Sequence, residues 1–295
     1  MVYSKKVMEY EIKHIVEADA GFPNCLRTIP SRPKELYLRG ELNLAAPTVA
    51  VVGSRIPSAY GKQAVHDIVS GLARAGVCIV SGMAPGIDTL AHQTALECDG
   101  LTIGVIGTGL DENVFFPRQN LDLARKVVDT GGCLVSEYPT GFRATNYSFP
   151  QRNRIIAGLS LAVLVIEAKE KSGSLITAEW GRKQHKLVFA IPGSIYVPNS
   201  KGCNWLLKNG AKACDSARDI LDTIGIAPVS PKPAASASSP EEQKILNALK
   251  DGALNIDQII LAAKLPAPAV MGLIPVMEIN NLIRDLGNGE YCLNN

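Results

Sequence analysis

The chain has 295 residues, 46% hydrophobic and 20% charged, enough for one sizeable α/β domain and a smaller second one. A formal net charge of +2 does not by itself announce a nucleic-acid partner, and no run approaches the roughly 18 apolar residues that cross a bilayer. Seven cysteines without a C-x-x-C pair argue against a disulfide framework or zinc site, and the start Met1-Val2-Tyr3-Ser4-Lys5-Lys6 has no apolar stretch of a signal peptide behind it, so a cytoplasmic protein with no membrane contact is expected.

Residues 1–46 read as a lead-in segment: a helix ending near Asp19, proline and glycine stops, then a short strand over Glu35–Gly40. Residues 47–225 carry the α/β signal. Apolar runs at Thr48–Val52, Val77–Ser81, Thr102–Ile106, Cys133–Ser136, Ala162–Ile166 and Leu187–Ile191 are short, rich in Val and Ile, and predict parallel strands buried on both faces. Helices are expected between them over Tyr60–Ala75, Ile87–Cys98, Gln119–Thr130, Asn153–Leu159 and Ser174–Gln184, the alternation of a doubly wound Rossmann-like domain. Residues 226–240 form a Pro/Ala/Ser linker. Residues 241–295 predict a winged-helix-like module: helices over Glu241–Lys250, Asn255–Ala263 and Ala267–Asn280, the last kinked or shortened by Pro275, then a hairpin turning at Gly287-Asn288-Gly289.

The loops after the strands hold the candidate chemistry. Gly53-Ser54-Arg55 ends the first strand: glycine admits close approach, the next helix N-terminus favours an anion, and arginine can fork onto a phosphate. The same three residues fit an ordinary tight turn with a solvated arginine. Ser81-Gly82-Met83-Ala84-Pro85-Gly86 feeds a helix on which Asp88 and His92 share a face; a metal pair or acid/base dyad there lacks a third group, and Asp88 reads better as a helix cap or as an acceptor for loop amides. Gly104, Gly107 and Gly109 do not match the dinucleotide fingerprint, and Phe115-Phe116-Pro117-Arg118 is an aromatic pair beside a cation that plain packing also explains.

Phe149 followed by Arg152, Asn153 and Arg154 at an expected helix start suits a base-stacking platform beside phosphate clamps, since cations in a first helical turn oppose the macrodipole unless an anion binds. Ser172-Gly173-Ser174 opens the next helix as an anion cradle or a plain serine cap. The stretches Leu42–His66 and Tyr138–Ile166 contain no acid, so they focus positive potential if the fold joins them. No Walker A, H-E-x-x-H or G-x-S-x-G pattern occurs.

In order, Gly21-Phe22-Pro23, Leu36-Tyr37-Leu38-Arg39-Gly40, Val52-Gly53-Ser54-Arg55, the run Ser81 to His92, Phe149 to Gly158 and Lys171 to Ala178 resemble the DNA-processing protein A (DprA, or Smf) family. The resemblance implies a single-stranded DNA-binding protein, without cofactor, metal or catalysis. Such proteins protect incoming DNA in natural transformation, dimerise through the Rossmann-like domain and help load the RecA recombinase. It places Gly53, Ser54, Arg55, Ser81, Gly82, Gly86, Phe149, Arg152, Asn153 and Arg154 at the DNA pocket, with Ser172, Gly173 and Ser174 nearby and Arg118 and Lys183 as further cations. Compared with longer members, no small helical domain is expected ahead of the lead-in segment. The competing class is the similar nucleotide phosphoribohydrolases, whose P-G-G-x-G-T-x-x-E aligns with Lys171–Glu179 here; the double glycine is missing although Glu179 is present. The third helix of the C-terminal module has no Arg or Lys, which argues for protein contact over duplex reading.

Overall fold

A computed structural model of the protein describes residues 10–227, 237–250, 252–280, 282–287 and 289–293. The larger part runs β1 (Ile12–Val16), α1 (Asn24–Arg27), β2 (Glu35–Gly40), β3 (Thr48–Val52), α2 (Ala59–Arg74), β4 (Cys78–Ser81), α3 (Ile87–Glu97), β5 (Thr102–Ile106), α4 (Leu121–Asp129) and β6 (Cys133–Ser136). It continues through α5 (Ser148–Gly158), β7 (Ala162–Val165), α6 (Gly173–Lys183), β8 (Leu187–Ala190), α7 (Lys201–Lys208), β9 (Lys212–Ala213) and α8 (Ala217–Ile224).

The nine strands form one sheet in the order β1-β2-β6-β5-β4-β3-β7-β8-β9, parallel from β6 to β9, with β1 and β2 antiparallel at one end. Side-chain alternation divides each central strand between two cores. Ala50 and Val52 of β3 face Ile155, Ile156 and Ala178 of α5 and α6; Val49 and Val51 face Val65, Ile68 and Ile87 of α2 and α3. Both faces are covered, which is why these strands read as unbroken apolar runs.

The lead-in segment departs from expectation. Over the described part of the helix expected to end near Asp19 lies β1, paired with β2 from Ile12–Arg39 to Val16–Glu35. Ile12, Ile15 and Val16 suit a helical face as well as a strand, and the free edge of β2 decides between them. Residues 1–9 of that expected helix lie outside the described residues.

The C-terminal module contains α9 (Pro240–Ala248), β10 (Leu254–Asn255), α10 (Ile256–Ala263), α11 (Ala267–Ile279), β11 (Ile283–Asp285) and β12 (Glu290–Leu293), with its strands in the order β10-β12-β11. Ile245, Ile259, Val270, Ile274 and Met277 form its core, and α10 and α11 are bent by 112° as in a helix-turn-helix. Helix α11 runs on past Pro275. The carbonyl deprived of a helix donor belongs to Met271, which is exposed, so water can satisfy it. Lys62 of α2 donates to the Leu286 carbonyl and links the module to the larger domain. Residues 228–236 of the expected linker and Asn288 of the expected turn lie outside the described residues. No single helix among the described residues is long and apolar enough to cross a membrane.

Candidate nucleic-acid interface

From β3 the chain steps outward through β4, β5 and β6, then returns over α5 to place β7 on the other side of β3. Loops leaving β3 and β7 therefore diverge, and the crevice opened at such a switch point is where open α/β sheets hold ligands. A cleft of about 710 Å³ lies here, lined by Gly53–Ile56, Ala84, Asp88, Phe116, Asn146, residues of the start of α5, and Lys169–Ser174. Its lining includes the cations Arg55, Arg152, Lys169 and Lys171 against the acids Asp88 and Glu170.

The β3 loop is shaped by packing. A Cβ on Gly53 would come within 2.7 Å of Ile87, and one on Gly86, held at φ +82°, within 2.4 Å of the Ser54 carbonyl. That carbonyl accepts from Ile87 N at 3.0 Å. Ser54 Oγ donates to the Ile56 carbonyl at 2.9 Å and accepts from Ile56 N at 3.2 Å, which closes the turn and commits the hydroxyl. Arg55 is exposed, with no hydrogen-bond or ion-pair partner among the described residues.

The N-termini of α2 and α6 differ. That of α2, expected to help bind an anion, is already occupied: Glu167, 2% exposed at the end of β7, accepts from Ser58 N at 3.0 Å, from Ser58 Oγ at 2.5 Å and from Asn199 Nδ2 at 3.2 Å. A carboxylate within the chain satisfies that end. Helix α6 instead begins in the cleft wall, where Ser172 caps it, Ser172 and Ser174 hydroxyls lie 2.8 Å apart, and Gly173 is exposed.

Helix α5 begins at Ser148, five residues before the expected start at Asn153. Pro150 falls in its first turn, where no backbone donor is required, so it does not break the helix. Arg152 and Arg154 are consequently beyond the first turn and buried, and the macrodipole reasoning for them does not apply. Arg152 Nη1 donates to the carbonyls of Gly82, at 2.5 Å, and Val105, closing the ends of β4 and β5; its Nε has no partner among the described residues. Burial pulls its pKa down to about 10, partly offset by Asp88, so it remains a cation at neutral pH. Burial likewise raises the Asp88 pKa, with Arg152 opposing. Asn153 donates to the Gly173 carbonyl at 3.2 Å, tying α5 to α6. Phe149 presents part of its ring to the cleft, lies against Gly107 and meets Phe116 at 5.7 Å between centroids.

Other expected residues stand apart from the cleft. Arg154 turns to the lead-in segment, donating to the Ser31 carbonyl at 2.6 Å and pairing with Glu137 at 2.5 Å. Ser81 is buried and donates to the Val51 carbonyl at 2.6 Å, and Gly82 is covered by Arg152, since a Cβ there would lie 2.3 Å from Nη1. Lys183 is exposed, pairs with Glu179 at 2.7 Å and lies over the Trp180 ring. Arg118 is exposed beyond Phe116 and donates to the Asn113 carbonyl at 3.2 Å. His92, on the face shared with Asp88, is buried against Thr102 at 2.6 Å. Sequence reasoning missed Asn146, Lys169 and Lys171 as lining residues, gave Phe116 no place in the site, and assigned nothing to Glu167. The cations were legible only as a polar loop at a strand end, and Phe116 only as half of an aromatic pair.

Comparison with known proteins agrees with this architecture. Residues 13–225 match the model of the family described as DNA recombination-mediator protein A, and residues 229–289 match the DprA winged helix domain. Protein Smf of Escherichia coli (strain K12) is 38% identical over 97% of this chain and 79% of its own; the DNA processing protein DprA of Streptococcus pneumoniae is 47% identical over 69% and 71%. An X-ray structure of DprA from Streptococcus pneumoniae superposes with a TM-score of 0.67 at 43% identity, covering 72% of this chain and 74% of that one. DNA processing protein A from Helicobacter pylori, whose structure is described for its single-stranded DNA binding mode, gives 0.66 at 30% identity over 74% and 97%. With a mostly parallel sheet, a winged-helix domain and relatives of this identity along most of its length, the chain belongs to the DNA recombination-mediator protein A (DprA/Smf) family.

Proposed function

We propose that the cleft at the β3/β7 switch point binds single-stranded DNA, and that the protein handles such DNA in transformation and recombination by binding it without catalysis. The observation that carries this reading is the convergence on one crevice of Arg55, unpaired among the described residues, the serine-capped N-terminus of α6 and the Phe149–Phe116 pair. Arginine and helix N–H groups suit phosphates, and an aromatic face suits an unpaired base, which a duplex keeps in its stack. In this scheme Arg152 and Asn153 set the cleft wall and Gly53, Ser54 and Gly86 shape its loop. The Helicobacter pylori relative, described as binding single-stranded DNA, supports the same ligand.

Protection of incoming strands, delivery to a RecA-type recombinase and homodimerisation through the Rossmann-like domain are the finer parts of the proposal. They rest on family membership. The C-terminal module, whose α11 lacks Arg and Lys, is assigned to protein contact. The phosphoribohydrolase alternative needs Glu179 at the reacting ligand, and this residue is exposed and ion-paired with Lys183, outside the cleft lining.

Titration of single-stranded and duplex oligonucleotides at two salt concentrations tests the proposal. Single strands are expected to bind more tightly. Arg55→Ala should weaken binding for all sequences and shrink the slope of log K against log salt by about 0.7, one single-strand phosphate. Phe149→Ala should cost about 1–3 kcal/mol. Unchanged affinity and slope in Arg55→Ala, or nucleotide hydrolysis abolished by Glu179→Gln, would overturn the assignment.

A further inference from the structure

Beyond Phe116 the cleft meets a surface to which no role has been given. The loops after β5 and β6 are joined there: Gly109 N donates to the Phe142 carbonyl at 2.9 Å, Gly141 N to Asp111 Oδ2 at 2.6 Å, and Ser136 Oγ to the Thr108 carbonyl at 2.6 Å. Tyr138 and Phe142 stack at 4.3 Å with planes 9° apart, which stiffens the second loop. Above this base are large side chains in water. Tyr147 is 82% exposed and Phe116 51%, and Arg118 and Arg143 are exposed too. The side chains of Tyr147 and Arg143 have no partner among the described residues. Tyr147 is flanked by Asn146, a cleft-lining residue, and by the first residue of α5.

The Tyr147 carbonyl accepts from Gln151 N at 3.1 Å at the start of α5, but the solvated ring and hydroxyl make no hydrogen bond among the described residues. With Arg143 on the same loop and Arg118 on the loop joined to it, it has the composition of a nucleic-acid track, an aromatic face for a base and cations for the flanking phosphates. Local acids are engaged: Glu137 with Arg154, Asp111 with Gly141 N, and Glu112 with Arg125 at 2.7 Å. From Tyr138 through Ile166 the chain carries no acid at all.

We infer that a single strand filling the cleft continues past Phe149 and Phe116 onto an apron formed by the β5 and β6 loops. There Tyr147 stacks a further base while Arg143 and Arg118 hold its phosphates. This rests on the cleft being a single-strand site; the apron lengthens the footprint on the β5/β6 side of β3.

Oligonucleotide length separates the two claims. Fluorescence anisotropy of the full chain with oligothymidylates of about 6 and about 20 nucleotides isolates the cleft from the cleft plus apron. The double variant Tyr147→Ala/Arg143→Ala is expected to bind the short strand as the wild type does and to lose roughly tenfold on the long one, with a salt slope lower by about 0.7. Tyr147→Phe paired with native Arg143 should retain long-strand binding. Equal binding of the long strand by wild type and double variant would overturn the apron, as would an equal loss at both lengths. Failure of the wild type to bind either length would instead remove the cleft reading on which the apron depends.

Discussion

Arg152 lies 5% exposed with one nitrogen shared between two main-chain carbonyls, whereas Arg55 is exposed and has no partner among the described residues. In sequence they are two arginines near small residues at strand ends or helix starts. Burial, which no local pattern reports, gives the first to the fold and leaves the second exposed, as the proposed ligand contact requires. His92 shows the same divide. Its ring is fully inside, Nδ1 meets Thr102 Oγ1, and because that hydroxyl donates to the Ile79 carbonyl at 2.8 Å the ring nitrogen is the donor, leaving Nε2 bare. Burial, reinforced by the Arg152 cation, pulls the His92 pKa from 6.5 down to about 3. Between those values the unfolded chain binds the proton that the folded chain refuses, so stability is full above pH 6.5 and drains as the pH falls toward 3. The loss amounts to a few kcal/mol across the window. His92→Gln keeps a donor for Thr102 and does not titrate. Its urea midpoint should fall less than that of the wild type between pH 6.5 and pH 4; parallel falls would exclude His92 as a source of acid sensitivity.

At the scale of elements, strands were more legible than helices, and both more than edges. The runs at Thr48–Val52, Thr102–Ile106 and Cys133–Ser136 are strands to the residue, because burial on both faces leaves an unbroken apolar signature. Strand β1 escaped because an edge strand is decided by the partner it meets, and β9 because two residues carry no period. Helix α5 was started too late because Pro150 reads as a stop unless its position in the first turn is known. The Glu167–Ser58 contact, across 109 residues of chain, has no local trace. It bears on how β7 and α2 are joined. Glu167→Gln preserves the shape but removes the charge facing an N-terminus, and should destabilise by about 1 kcal/mol in denaturant titration. Single-strand affinity should be unchanged, since the carboxylate serves the helix; a large loss of affinity would show that it tunes the cleft.

At the scale of the molecule, all the described residues that line the cleft belong to the larger domain and none to the C-terminal module. Leu261, Met271, Val276 and Ile279 leave apolar surface in water on α10 and α11, the reverse of a phosphate-reading face. Deleting residues 226–295 should therefore hold single-strand affinity within about threefold, which is well under 1 kcal/mol. A larger loss by anisotropy would bring the module into the binding surface, where the Lys62–Leu286 contact would be its point of attachment. The Asn153–Gly173 bond has a consequence for how a strand leaves. Asn153 ties α5 to α6, and Arg152 ties α5 to the ends of β4 and β5, so the walls of the crevice are fastened to one another. A strand bound there as proposed is therefore expected to leave by peeling from one end, a nucleotide at a time, so that each vacated length opens to another binder before the last phosphate is released. Such a holder is expected to surrender its strand by transfer, without first setting it loose in solution.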